Sequence, residues 1–188
     1  MIYNDKIIKA INIAYTIHED EKDKINVPYI FHPFRVAEKI IEEESQFGGI
    51  KDCKALEDCI IIAFLHDTIE SLIKKYKDST SFVHLGNGLY KKFDSKESLI
   101  SYFKTLLENN FGDIISNAVY TLTRKDNETY NEYIDRICKN SYAVKVKIHD
   151  IKDNMNANRI KLLNSKEKDG LSKRYFKALE TLIKYERL

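Results

Sequence analysis

From Ile7 onward the apolar positions Ile7, Ile8, Ile11, Ala14 and Ile17 recur at three- and four-residue steps. That spacing predicts an amphipathic helix ending near His18. The loop from Asp20 to Asn26 is polar and carries Lys22 and Lys24, and Val27 precedes Pro28. The proline ring crowds the preceding backbone and pushes Val27 into an extended conformation. Pro33 suits the first turn of a second helix. This helix is read to about Glu44, with Val36, Ala37, Ile40 and Ile41 on its inner face, and Gly48-Gly49 ends it. A third helix starts near Lys54. From Leu56 to Leu65 its apolar residues, ending CIIIAFL, run nearly all round the cylinder. That predicts a helix buried on most sides at the centre of a bundle, and a length beyond about ten residues decides against a buried strand.

Residues 74–93 are the least patterned stretch, with Gly86 and Gly88 flanking Asn87, and are read as a loop or insertion. Asp94-Ser95-Lys96-Glu97 reads as a capping box in which Asp94 caps the backbone and Glu97 reaches back, opening a helix over 96–109. Further amphipathic stretches cover Ile114–Leu122, Thr129–Cys138, Tyr142–Asn156 and Leu171–Tyr185. Residues 1–188 are therefore expected to form one all-α domain, without internal repeats.

Composition changes this picture little. Apolar residues make up 43% and charged residues 32%, and six glycines with two prolines leave little material for a turn-rich β-fold. A net charge of +2, with basic residues scattered among acids, gives no footprint for nucleic acid but is compatible with a phosphate-bearing small molecule. The N-terminus MIYNDKIIKA lacks the organisation of a signal peptide, and no apolar run approaches the roughly 18 residues that span a bilayer. A cytoplasmic location, with no membrane association, is the expectation; protein partners are not specified. Cys53, Cys59 and Cys138 are odd in number and lack zinc-ribbon spacing, which argues against disulfides and a thiolate metal site and for small core residues.

The candidate chemistry begins with His66-Asp67, at the polar end of the most apolar helix. An imidazole and a carboxylate there lose their hydration, and a divalent cation compensates both. Adjacent helical residues point about 100 degrees apart, so both side chains reach one ion at a helix end. Glu70, four residues after His66, projects to the same side. His32 stands immediately before Pro33, and Asp150 lies within a helix with Asn154 one turn on. Together they offer four N/O ligands from three helical segments.

Three motifs occur in order: His18-x5-Lys24-x3-Pro28-Tyr29-Ile30-x-His32-Pro33, Leu65-His66-Asp67-Thr68-x-Glu70, and Val146-Lys147-Ile148-x-Asp150-x3-Asn154. Over nearly the whole chain this pattern resembles the hydrolase domain of RelA/SpoT-type guanosine tetraphosphate enzymes and the small stand-alone HD-domain phosphohydrolases. Leu122-Thr123-Arg124-Lys125, with Tyr130, Tyr133 and Arg136, is similar to the stand-alone group. The resemblance implies a compact HD-domain helical bundle and metal-dependent hydrolysis of a phosphorylated nucleotide, foremost the 3′-pyrophosphate of guanosine tetra- or pentaphosphate. Alternatives are another phosphorylated nucleotide or cofactor as substrate, or a non-catalytic nucleotide-binding module.

By the same resemblance His32, His66, Asp67 and Asp150 match metal ligands, Glu70 and Asp67 match catalytic acids, and Lys24 and Asn154 match substrate-side positions. Arg124 and Lys147 are further candidates to neutralise phosphate, and Arg159 a weaker one. Tyr29, Tyr130 and Tyr133 are candidate walls for a base or ribose. Mn²⁺ is the metal implied, and an N/O ligand set also accommodates Fe²⁺ or Zn²⁺. His149, His18 and His84 are read as packing, structural and loop residues. Two positions depart from the family pattern. Ser71 stands where a second acid follows the glutamate, so restoring an acid there is expected to raise alarmone hydrolysis. Asp23 stands where an arginine flanks the guanine, and it cannot stack as a guanidinium does.

Overall fold

A computed structural model of the chain describes residues 5–46, 52–85, 88–157, 161 and 165–186. Gly48, Gly49, Gly86, Asn87 and Arg159 lie outside the described residues. Helix α1 (Asp5–His18) is followed by α2 (Phe31–Gln46), α3 (Cys53–Leu65) and α4 (Thr68–Lys75). A two-residue antiparallel pair, β1 (Val83–His84) with β2 (Tyr90–Lys91), precedes α5 (Lys96–Phe111) and α6 (Asp113–Leu122). The chain continues through α7 (Tyr130–Ile137), α8 (Ser141–Asn154) and α9 (Ser165–Glu186). The architecture is an all-α helical bundle with one short antiparallel pair.

Helix α3 is its axis. Every residue from Asp58 to Leu65 is buried, so the all-round apolar pattern finds partners on all sides, in α1, α2, α6 and α8. Fully burying each of Ile60, Ile61, Ile62 and Phe64 contributes about 1.5–3 kcal/mol of hydrophobic free energy before entropy is counted. Outside this centre, α5 packs on α6 and α4, while α9 packs on α8 and α7.

Capping fixes where the helices begin. Asp52 accepts from Lys54 N at 2.8 Å to open α3, and Asn140 accepts from Ala143 N at 3.0 Å to open α8. Thr129 and Glu132 form a reciprocal capping box at α7. The box at α5 differs from the expected one. Ser95, rather than Asp94, is the N-cap, and it exchanges hydrogen bonds with Ser98 instead of Glu97. A serine hydroxyl can both donate and accept, so it substitutes for the usual glutamate. Gly112, at φ +93, turns the chain sharply between α5 and α6 in a region that L side chains rarely occupy.

The described part of the segment 74–93 carries more regular structure than the sequence pattern suggests. Its first residues complete α4, Val83–His84 pairs with Tyr90–Lys91, and Leu85 N donates to Leu89 O at 2.8 Å. Cys59 is buried, but Cys53 is exposed at the start of α3 and Cys138 is half-buried, so only one of the three is a core residue.

Candidate metal centre

The apolar column of α3 drives its own C-terminus into the interior, and the chain turns there. His66 is the C-cap of α3, and Asp67, at φ −103° and ψ 0°, is the N-cap of α4. His32 is the second residue of α2, placed by the hydrogen bond from its backbone N–H to Tyr29 O at 2.8 Å. Asp150 comes from the inward face of α8. One ligand atom each from His32, His66 and Asp150 lies within 4.8 Å of the other two, and all three residues are buried.

Both imidazoles are oriented from behind. His66 Nδ1 lies 2.8 Å from Ala63 O, and a carbonyl only accepts, so Nδ1 carries the proton and Nε2 presents a lone pair. His32 Nδ1 is held 2.9 Å from Asp153 Oδ2 in the same manner. Ahead of these rings stand carboxylates. His32 Nε2 is 3.1 Å from Asp150 Oδ1, and His66 Nε2 is 3.0 Å from Asp67 Oδ2. The crossed separations, His32 to Asp67 and His66 to Asp150, are 3.8 and 3.9 Å. His66 Nε2 is buried without a hydrogen-bond partner. Lone pairs facing carboxylate oxygens at these distances call for positive charge between them, and the donor set suits a divalent cation.

A proton on an imidazole is the alternative source of that positive charge, and the same carboxylates favour it. Burial opposes charge on His32, yet hydrogen bonds to Asp150 and Asp153 push it up to about 10. His66 is raised by Asp67 against the cost of burial. Despite burial, His66 and His32 hold the Asp67 carboxyl well below the usual range, while Lys147 and His32 hold Asp150 there. Glu70 moves the other way, raised by burial and by the charge of Asp67.

The residues predicted as substrate contacts divide. A cavity of about 330 Å³ opens over the cluster, and Lys24, Lys147 and Asn154 all line it. Lys147 Nζ donates to Asp150 Oδ2 at 2.7 Å, and Asn154 Nδ2 to Asp150 Oδ1 at 2.6 Å, so both also fix the carboxylate. Arg124 is not among the lining residues. Its guanidinium donates to the Glu128 carbonyl at 2.9 and 3.2 Å, and its backbone N–H donates to Glu70 Oε1 at 3.0 Å. Glu70 and Arg124 instead border a neighbouring opening, which shares Lys74 with the first.

Of the three tyrosines, Tyr29 and Tyr130 line the cavity. The Tyr29 hydroxyl donates to Asp67 Oδ2. Tyr133 is buried, with its hydroxyl spent on Leu122 O. His18 and His149 are both buried, and both lie outside the His32/His66/Asp150 group. His84 stacks on Tyr90 in the β1–β2 pair, with ring centroids 4.1 Å apart.

Sequence reading missed Asp153, Arg35 and Tyr175. Asp153 receives His32 Nδ1 and also Arg35, whose Nε and Nη2 donate at 2.9 and 3.1 Å. Its spacing of three from Asp150 and Arg35's spacing of three from His32 were the available signals, since such positions share a helix face. Tyr175 enters the cavity wall from α9 and carried no motif at all.

The chain is thus an all-α helical bundle with a buried His-His-Asp group able to hold a divalent metal. Among solved structures it is similar to one described as a metazoan ortholog of SpoT that hydrolyzes ppGpp and plays a role in starvation responses. The match covers 98% of this chain and 87% of that one, at a TM-score of 0.60 and 18% sequence identity. No protein-family model matches the chain, and no curated protein matches it either. Among the described residues, no helix is long and apolar enough to cross a membrane.

Proposed function

We propose that this protein is a metal-dependent phosphohydrolase acting on a phosphorylated nucleotide. The observation that carries the reading is the pair of back-oriented imidazoles, His32 and His66, facing the buried Asp150 and half-buried Asp67 carboxylates, with His32 and both acids lining a cavity. That cavity also carries Lys22, Lys24, Lys74 and Lys147. Lysines suit phosphate oxygens, and Tyr29, Tyr130 and Tyr175 suit a base or ribose. His32, His66 and Asp150, with Asp67 beside them, are the proposed metal ligands, and Mn²⁺ is the favoured ion over Fe²⁺ or Zn²⁺. When bound, the cation supplies positive charge that polarises a phosphoryl oxygen and makes water a better nucleophile at neutral pH.

The chain's own groups do the rest. Glu70 is the proposed acceptor of a proton from the attacking water: burial and the charge of Asp67 raise its pKa, and Arg124 N donates to its Oε1. Lys147 and Asn154 keep the Asp150 carboxylate in one orientation. The favoured substrate is guanosine tetra- or pentaphosphate, losing its 3′-pyrophosphate, by analogy of fold and motif.

A second reading changes only the substrate. Asp23 spends Oδ1 on the backbone N–H groups of Ile25 and Val27, both at 3.0 Å, so it shapes a turn and offers no guanidinium-like platform to a guanine. That favours a different phosphorylated nucleotide or cofactor. The test is phosphate and pyrophosphate release from a nucleotide panel that includes guanosine tetraphosphate, with Mn²⁺, Fe²⁺, Zn²⁺ or chelator. Metal-dependent pyrophosphate release from guanosine tetraphosphate is expected. Preference for another nucleotide selects the second reading, and tight nucleotide binding with no turnover under any metal overturns catalysis and leaves a binding module.

A further inference from the structure

A second polar cluster, outside the metal centre, joins the end of α1, the loop after it and α4. Ser71 is buried at 1% exposure, next in sequence to Glu70. Its hydroxyl donates to Glu21 Oε2 at 2.9 Å, and His18 Nδ1 lies 3.2 Å from that hydroxyl and 3.5 Å from the same carboxylate. Both contacts of His18 fall on Nδ1, so the ring cannot take a proton from Ser71 at one nitrogen while Glu21 holds the other. A serine-nucleophile arrangement is excluded by that geometry.

The cluster instead ties down a loop. Glu21 N donates to His18 O at 2.9 Å, Tyr29 N donates to Glu21 O at 2.8 Å, and Lys22 pairs with Pro28 across the loop. Residues 22–25 of that loop line the cavity, and Tyr29 at its end donates to Asp67. The His18 ring packs on Tyr29 at 4.9 Å. The Glu21 carboxylate thus links the lysine-bearing loop to the middle of α4, while Tyr29 ties the loop's end to Asp67 at that helix's start.

We infer that Glu21 is a positioning residue, which clamps the cation-bearing loop to α4 through Ser71 and thereby sets the distance between the substrate-side lysines and the acids. This chain carries its carboxylate at position 21, and position 71 must supply a donor. Two carboxylates cannot share a 2.9 Å contact without repulsion or a shared proton. The expected effect of an acid at 71 is therefore the reverse of the one the family pattern suggests. Burial opposes ionisation of Glu21, yet His18, Ser71 and Lys75 together hold its carboxyl below the ordinary value.

This inference rests on the proposed function for its kinetic readout, and a double-mutant cycle over Ser71→Asp and Glu21→Gln tests it. With the nucleotide that wild type hydrolyses fastest, S71D is expected to raise KM at least tenfold while kcat stays within threefold. The pair E21Q/S71D, which exchanges carboxylate and donor, is expected to return KM to within threefold of wild type. Amide hydrogen exchange over residues 19–29 should accelerate in S71D and recover in the pair. A rise in activity in S71D, or a double variant no better than S71D, overturns the clamp. If wild type hydrolyses nothing, the proposed function fails, and the exchange cycle still decides the clamp: no recovery in the pair overturns it.

Discussion

Exchange of Asp150 for asparagine is expected to remove retained divalent metal and, with it, hydrolysis. Asp150 is the one carboxylate in the tight His32/His66/Asp150 group. Asparagine keeps an oxygen that can accept from Lys147 but loses the negative charge. Because even groups one step behind metal ligands are worth about 10–100-fold in affinity or activity, loss of a direct ligand should cost more than the upper end of that range. Calorimetric titration with Mn²⁺ and metal analysis of the purified variant give the readout; wild-type affinity in D150N would remove Asp150 from the site. Alanine at the same position behaves differently. It leaves the Lys147 ammonium, only 12% exposed, without its counter-charge, and breaking a buried pair in that way costs about 3–5 kcal/mol. Urea unfolding of D150N and D150A side by side separates lost chemistry from lost fold.

The second large effect is expected one step behind the ligands. Asp153→Ala withdraws the acceptor that fixes His32 Nδ1, freeing the ring to rotate and change tautomer, and strips Arg35 of its partner. Metal affinity should fall by about 10–100-fold. Stability should fall by about 3 kcal/mol, near the low end for breaking a buried pair because Arg35 keeps 29% of its side chain in solvent. Asp153→Asn, which still accepts from His32, should recover most of the metal affinity. Equal losses in both variants would show that charge at 153, rather than orientation of His32, is what matters.

What the sequence revealed follows the range of the interactions involved. Helix periodicity is local, so α1, α3 and α8 were legible to within a few residues at most ends, and the all-round pattern of CIIIAFL placed α3 at the centre. His66 and Asp67 were legible because they interrupt that pattern. Other features depend on which helices meet. Asp153 reaches His32 across 121 positions and Arg35 across 118, and no local pattern announces such a pairing. The α5 cap was misassigned for a more local reason: Asp94 and Ser95 are both good N-caps, and only the backbone conformation, extended at Ser95, chooses between them. Ser71 looked like a simple loss of an acid because the partner that completes it, Glu21, stands 50 positions earlier.

The two orienting contacts behind the imidazoles differ in reach, and this bears on the order in which the site is assembled. The Ala63 carbonyl that sets His66 lies three residues away and is in place as soon as α3 forms, whereas Asp153, which sets His32, arrives only when α8 docks. A chain released before α8 emerges therefore holds one prepared imidazole and one that still turns freely. Any cation that needs both imidazoles must then wait for α8 to dock, because Asp150 and Asp153 both come from that helix.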